Sequence, residues 1–223
     1  MKKLGMIIFL MIAFSMMVAP AVMADTLYLN GVNGQTDPTG QVYIDPYQGG
    51  NSSTAMNNIF CVDPMHESYL GTSWTVNVTN LGTSTSFANT YLGDQLKYKE
   101  MAYLIIYNMS NWGKSAGLGL NQAVQAAIWN IASPGNQYGE VIHNSIDPND
   151  PLNSAYWVSY AAANYGTMDY SNVLILSDAN FGKPDYTGQI NQEFIETVPE
   201  PATILLLGLG LVGLAGVGRK FKK

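Results

Sequence analysis

The order of the patterns along this chain predicts an α+β fold, a single compact domain with a helical subregion packed on antiparallel strands. Strand-type segments come first and last, while residues 94–111 and 121–133 between them repeat their apolar positions at helical spacing. A third helical pattern follows at 150–166. With 223 residues, 47% of them hydrophobic, one domain with a real core remains after both end segments are set aside.

The first end segment is residues 1–24. Lys2 and Lys3 precede an apolar run over 4–18, and Val22-Met23-Ala24 supplies small residues at a cleavage point. These are the parts of a secretory signal peptide, so Asp25 is the expected mature N-terminus. Residues 26–30 and 41–45 read as short strands separated by a loop rich in Gly, Asn and Asp, and 46–58 reads as a polar, glycine-containing connection. Ile59-Phe60-Cys61-Val62 is an apolar run expected to form a buried strand. At 74–79, Trp74, Val76 and Val78 alternate with Thr75, Asn77 and Thr79, the pattern of a half-buried strand.

From Asp94 the period changes. Leu96, Met101, Leu104, Ile105 and Met109 recur at helical spacing up to about Asn111, where Trp112-Gly113 ends the element. A glycine-bearing loop over 113–119 leads to Asn121, the expected N-cap of a second helix that stops at Pro134-Gly135. On that helix Ala123, Val124, Ala127, Ile128 and Ile131 make an apolar face, and Gln122, Gln125 and Trp129 an adjoining stripe. Asp150-Pro151 reads as the cap and first residue of the third helix, with Leu152, Ala155, Tyr156, Ser159, Tyr160 and Ala163 on one face. Residues 173–176 read as a buried strand and 190–198 as an edge strand. There is no internal repeat.

Charge narrows the function. Six of the ten basic residues lie in the end segments, so between Asp25 and Pro201 four Lys and no Arg stand against sixteen acidic residues, a surplus of twelve negative charges. Such a body repels nucleic acid and anionic lipid. The single cysteine, Cys61, has no partner for an internal disulfide in an exported chain. It is either a small buried hydrophobe between Phe60 and Val62 or a reactive thiol.

Metal and peptidase readings are weak, and no cofactor is expected. His66-Glu67 lacks the second His of a zinc-protease helix, and residues 147–150 lack the spaced Glu and glycine of a calcium loop, so both are expected to be turns. A peptidase would use Cys61 as nucleophile, His143 as base and Asp147 or an Asn as orienter, but the surroundings of Cys61 lack the papain-like signature. Glycan-acceptor matches at Asn51, Asn77 and Asn108 are unsurprising in a chain this rich in Asn, Ser and Thr.

The aromatic-Cys dipeptide Phe60-Cys61 is followed by Gln125-Ala126-Ala127-Ile128-Trp129. The pairing resembles the thioester domain of Gram-positive surface proteins, over roughly residues 41–176. In that family the Cys sulfur is joined to the Gln side-chain carbonyl with loss of ammonia. By position the bond would join Cys61 to Gln125; Gln122 is the lesser candidate, because only Gln125 has Ala-Ile-Trp at the family spacing. The resemblance implies an adhesin that captures a surface or matrix amine or hydroxyl once, without turnover. Trp129 would exclude water. A helix starting at Asn121 would place its free first-turn N–H groups near Gln125, where they would favour thiolate and supply oxyanion donors. The rival is a passive exopolysaccharide-associated structural protein in which Cys61 is core.

The other end segment is Val198-Pro199-Glu200-Pro201, an apolar run over 202–217 and a basic tail over 219–223. It resembles the PEP-CTERM sorting signal, with Pro199, Glu200 and Pro201 in the motif positions. Proline cannot continue a helix, so a helix over the apolar run starts where the motif ends. The basic tail is expected to stay cytoplasmic. The sixteen apolar residues, which include Gly208, Gly210, Gly213 and Gly216, are short against the roughly 20 that span a bilayer comfortably. The resemblance implies transient association with the inner membrane through a transmembrane helix at 202–217, an exosortase-type processing enzyme as partner, and a cell-surface or matrix destination. A plain single-pass anchor is the alternative. The expected layout is a signal peptide at 1–24, an extracellular thioester-like domain at 25–197 and a sorting signal at 198–223.

Overall fold

The structure, a computed structural model, describes residues 25–32, 47–50, 57–109, 118–135 and 146–198. The signal peptide, the strand expected at 41–45, His143 and the motif residues Pro199, Glu200 and Pro201 lie outside the described residues.

Six antiparallel strands close into a barrel. They are β1 (Asp25–Val32), β2 (Tyr47–Gly50), β3 (Asn57–Cys61), β4 (Thr72–Asn80), β5 (Val173–Asp178) and β6 (Phe194–Thr197), in the spatial order β1-β2-β3-β6-β5-β4, with β4 pairing back onto β1. Between β4 and β5, neighbours in the barrel, one excursion of the chain carries α1 (Gln95–Met109), α2 (Leu118–Ala132) and α3 (Ser154–Asn164). The expectation of a helical subregion packed on antiparallel strands holds, and the strands go further by closing on themselves.

Two apolar clusters follow from strand alternation. On β3, Ile59 and Cys61 belong to a cluster with Leu27, Leu29, Val76, Leu176, Phe194 and Trp129, while Phe60 and Val62 join the larger cluster under the helices. β5 and β6 divide in the same way, with Leu176 and Phe194 on the first side and Ile175 and Ile195 on the second. These strands are buried on both faces, which is why 59–62 and 173–176 read as unbroken apolar runs.

Several boundaries and faces differ from expectation. β6 pairs with both β3 and β5, so the segment read as an edge strand is internal. The glycine-containing stretch read as loop holds β2, where a Cβ on Gly49 would stand 2.4 Å from Ile59 Cδ1 on β3; glycine lets the two strands approach. Helix α1 turns Leu96 outward, 54% exposed, and buries Tyr98, whose ring supplies apolar surface and whose hydroxyl is hydrogen bonded inside. On β4, Val76 and Thr79 are buried while Trp74 and Val78 are half-buried, so the alternation is imperfect.

Helix α2 starts at Leu118 and not at Asn121, so Gly119 lies in the first turn. The cap of α3 is Asn153, whose side chain accepts from Ala155 N–H, and the buried residues of the helix are Ser154, Trp157 and Ala161; Ala155, Ser159 and Ala163 are exposed. Asp150 instead accepts from Leu152 N–H at 2.9 Å, and Asp147 from Asn149 N–H at 2.9 Å. Residues 147–152 are therefore consecutive turns, as expected for 147–150, and the helix waits until they finish.

Candidate functional site

Cys61 ends β3, fully buried, opposite Phe194. Its thiol donates to the backbone carbonyl of Asp63 at 3.3 Å. The surroundings push its pKa up to about 12: burial raises it most, the Asp63 carboxylate adds to this, the Asp63 backbone and then Trp129 work against it, and Glu193 adds a smaller rise.

Gln125, 1% exposed on α2, donates its side-chain amide N–H to the backbone carbonyl of Cys61 at 2.9 Å. The Gln125 side chain thus reaches the backbone of Cys61, across 64 positions of chain. A carbonyl acceptor fixes the amide orientation, so the nitrogen faces Cys61. Trp129, one turn further along α2 and 2% exposed, packs in the same cluster as Cys61. Gln122 is also buried on α2. On the opposite side of α2, Ala123 and Ala127 are fully buried in the cluster under the helices.

One expected feature is absent. Gln125 is the eighth residue of the fifteen-residue α2, because the helix begins at Leu118, before the expected Asn121 cap. Backbone N–H groups beyond the first turn are used within a helix, so the helix N-terminus cannot serve as the donor set at Gln125. The thiol likewise has its pKa raised and not lowered, since burial and the Asp63 carboxylate outweigh the pull of the Asp63 backbone.

Sequence reading missed the polar groups that surround Cys61. Asp63 is 1% exposed; its Oδ1 accepts from Met65 N–H at 2.9 Å and its Oδ2 meets His66 Nδ1 at 2.5 Å. His66 in turn stands edge-on to Tyr91. Glu193, 2% exposed, accepts from Tyr98 Oη, from Ser177 Oγ at 2.5 Å and from Tyr91 N–H at 2.8 Å, while its backbone carbonyl accepts from Val62 N–H at 3.0 Å. Burial pushes the Glu193 carboxyl up to about 7, against the pull of those donors. A cleft lined by Asp63, Tyr91, Ser177, Phe181 and Glu193 is too narrow to hold a water molecule. Asp63-Pro64 directly after Cys61 was a legible turn signal; Glu193 had none.

The peptidase arrangement is not assembled among the described residues. Asp147 is exposed in the turns ahead of α3, whereas Cys61 is fully buried. Among the described residues no group of His, Cys, Asp and Glu could hold a metal ion.

Residues 197–220 match the PEP-CTERM protein-sorting motif. The motif implies an exported chain, held at the membrane during sorting and processed by an exosortase-type enzyme. No helix of the described residues is long and apolar enough to cross a membrane, and the apolar run at 202–217 lies outside them. No curated protein matches the chain. Among solved structures it is similar to the N-terminal thioester domain of a surface protein from Clostridium perfringens, at 11% identity and a TM-score of 0.39, covering 77% of this chain and 98% of that one. It is also similar to the Bacillus anthracis TIE protein, at 12% identity and a TM-score of 0.31, covering 80% of this chain and 39% of that one.

Proposed function

We propose that this is a surface or matrix protein that captures a nucleophile covalently through an internal thioester between Cys61 and Gln125, for adhesion or attachment within a biofilm matrix. The observation that carries the reading is the 2.9 Å hydrogen bond from the Gln125 amide nitrogen to the Cys61 carbonyl. It holds the group that must leave, and so brings the amide carbon one bond away up to the residue that bears the sulfur. Once sulfur and amide carbon are in contact, orientation replaces on the order of 7 to 11 kcal/mol of the barrier to attack on a poor electrophile.

In formation, the Cys61 sulfur bonds to the Gln125 side-chain carbonyl carbon, the carbon–nitrogen bond breaks, and the thiol proton leaves with nitrogen as ammonia. In use, an amine or hydroxyl of the target attacks the same carbon, the sulfur departs, and the nucleophile's proton returns to it as the Cys61 thiol. The product is an amide or ester on Gln125, made once per chain. Trp129, buried in the same cluster as Cys61, excludes water from the bond. The signal peptide at 1–24 and the sorting signal at 198–223 deliver the domain at 25–197 and are then removed.

Intact mass of the exported protein tests this. The expected result is a chain lighter by one ammonia, with full mass restored in Cys61→Ala and in Gln125→Ala. The second reading, a passive exopolysaccharide-associated structural protein, is favoured by one observation: a thiol with its pKa pushed up to about 12 and a carbonyl partner resembles an inert core cysteine. A wild-type mass with no ammonia lost would select it.

A further inference from the structure

We propose that the band of tyrosines where α1 meets α3 is a binding platform for a neutral polysaccharide, whose sugar rings stack on Tyr107, Tyr160 and Tyr156. The platform lies in the helical layer and goes beyond the thioester reading without resting on it.

Three rings form the accessible part. Tyr107, near the end of α1, is 41% exposed, and Tyr160 and Tyr156 on α3 are half-buried. Tyr160 stands in the middle, its ring centroid 5.3 Å from that of Tyr107 and 5.8 Å from that of Tyr156, so the band is continuous. Beneath it two further rings, Tyr103 and Trp157, are buried and pack on both Tyr107 and Tyr160. The accessible rings therefore rest on a packed layer. Ser159 and Ala163, exposed on α3 at helical spacing from Tyr156 and Tyr160, are too short to cover them.

The chemistry of the band selects its occupant. Helix α3 carries no charged side chain over its eleven residues, in a body whose acidic residues outnumber its basic ones by twelve. That body repels an anionic polymer and a second copy of itself, and the helix offers a cationic partner no carboxylate. Tyr103 and Trp157 fill the space under the band, which leaves a face to stack on and not a pocket for the anchoring side chain that a protein partner uses. Each accessible ring joins a flat apolar face to a hydroxyl at its edge. A neutral sugar has the same two parts, a face of C–H bonds and a rim of hydroxyls. Stacking the two removes apolar surface from water while the hydroxyls stay paired, and tyrosine gives up only two torsions to do so.

The test runs the exported protein in native gels that contain hydroxyethylcellulose, dextran or a galactomannan, all neutral, or alginate, which is anionic. Wild type is expected to be retarded by at least one neutral polymer and not by alginate. Tyr107→Ala and Tyr156→Ala, at the two ends of the band, are expected to bind that polymer about three- to tenfold more weakly. Tyr107→Phe, which keeps the ring, is expected to stay within about twofold of wild type. Melting curves identify a variant that does not fold, and the other end of the band then carries the test.

Retardation by none of the neutral polymers overturns the proposal, and so does retardation by alginate equal to theirs or binding unchanged in both alanine variants. Retardation that disappears in Cys61→Ala is covalent capture at Gln125 and overturns the platform while supporting the thioester. Self-association in sedimentation that Tyr107→Ala abolishes, with no polymer bound, makes the band a contact between copies and also overturns it. Ammonia loss decides the thioester reading separately, so the two can fail independently.

Discussion

Glu193 is an acid buried to 2% exposure with its carboxyl pushed up to about 7, and its only compensation among the described contacts is three donors: Tyr98, Ser177 and the Tyr91 N–H. In the unfolded chain the same carboxyl titrates near its ordinary value of 4.5. The native state therefore binds more protons across that interval. Its contribution to stability is fully present below about pH 4.5 and is lost as pH rises through 7, a change on the order of 3 kcal/mol. Thermal unfolding between pH 5 and 8.5 is expected to show the melting temperature falling with pH, and Glu193→Gln is expected to flatten that fall. A wild-type profile that rises or stays level over this range would contradict the assignment. The residue was not legible in the sequence because its donors come from positions 91, 98 and 177, which no local pattern connects to 193. Cys61 and Gln125 were legible because each sits in a short motif. The Asp63 carbonyl that receives the thiol is a backbone group and leaves no mark on composition.

At the level of elements, periodicity located the segments and capping misjudged their starts. Helix α2 was read as beginning at Asn121 because Gly119 looked like loop, yet glycine in a helix costs only about 1 kcal/mol relative to Ala and the buried face of α2 outweighs it. That shift of one turn matters, since it carries Gln125 away from the helix N-terminus. Ala123, Ala126 and Ala127 are fully buried, so the helix axis lies close to its neighbours. Ala127→Leu inserts three carbons where none fit and is expected to destabilise the fold by about 1 to 3 kcal/mol. On the thioester reading it should also lower the fraction of chains that have lost ammonia, because crowding in the cluster under the helices displaces α2 and with it the Gln125 contact at Cys61. Denaturant melts paired with intact mass check both; a stability loss with full ammonia loss would mean that the contact tolerates displacement of the helix.

Barrel closure was the part of the whole molecule that the sequence did not reveal. Strand segments other than β2 are legible one by one, but closure depends on β4 pairing with β1 and on β6 filling the place between β3 and β5. Both are long-range pairings, and the second reverses the expectation of an edge. The resulting topology puts Cys61 on the barrel and Gln125 on the helical excursion between β4 and β5. A bond between them would therefore link the two layers and close a loop of 64 residues. By the loop-entropy relation used for disulfides, such a link stabilises the fold by about 4 kcal/mol. For a body of this size each kcal/mol moves the melting temperature by roughly 2 to 4 °C, so opening the bond should lower it by roughly 10 °C. Methylamine is the suitable reagent, because it adds to Gln125, frees the Cys61 thiol and leaves little else changed. Treated wild type is expected to melt at the lower temperature with one methylamine bound, and Cys61→Ala to melt at the same temperature with or without treatment. If wild type takes up methylamine at Gln125 and its melting temperature does not move, the link does not restrain the two layers relative to each other, and the barrel and helices are held together by their non-covalent contacts.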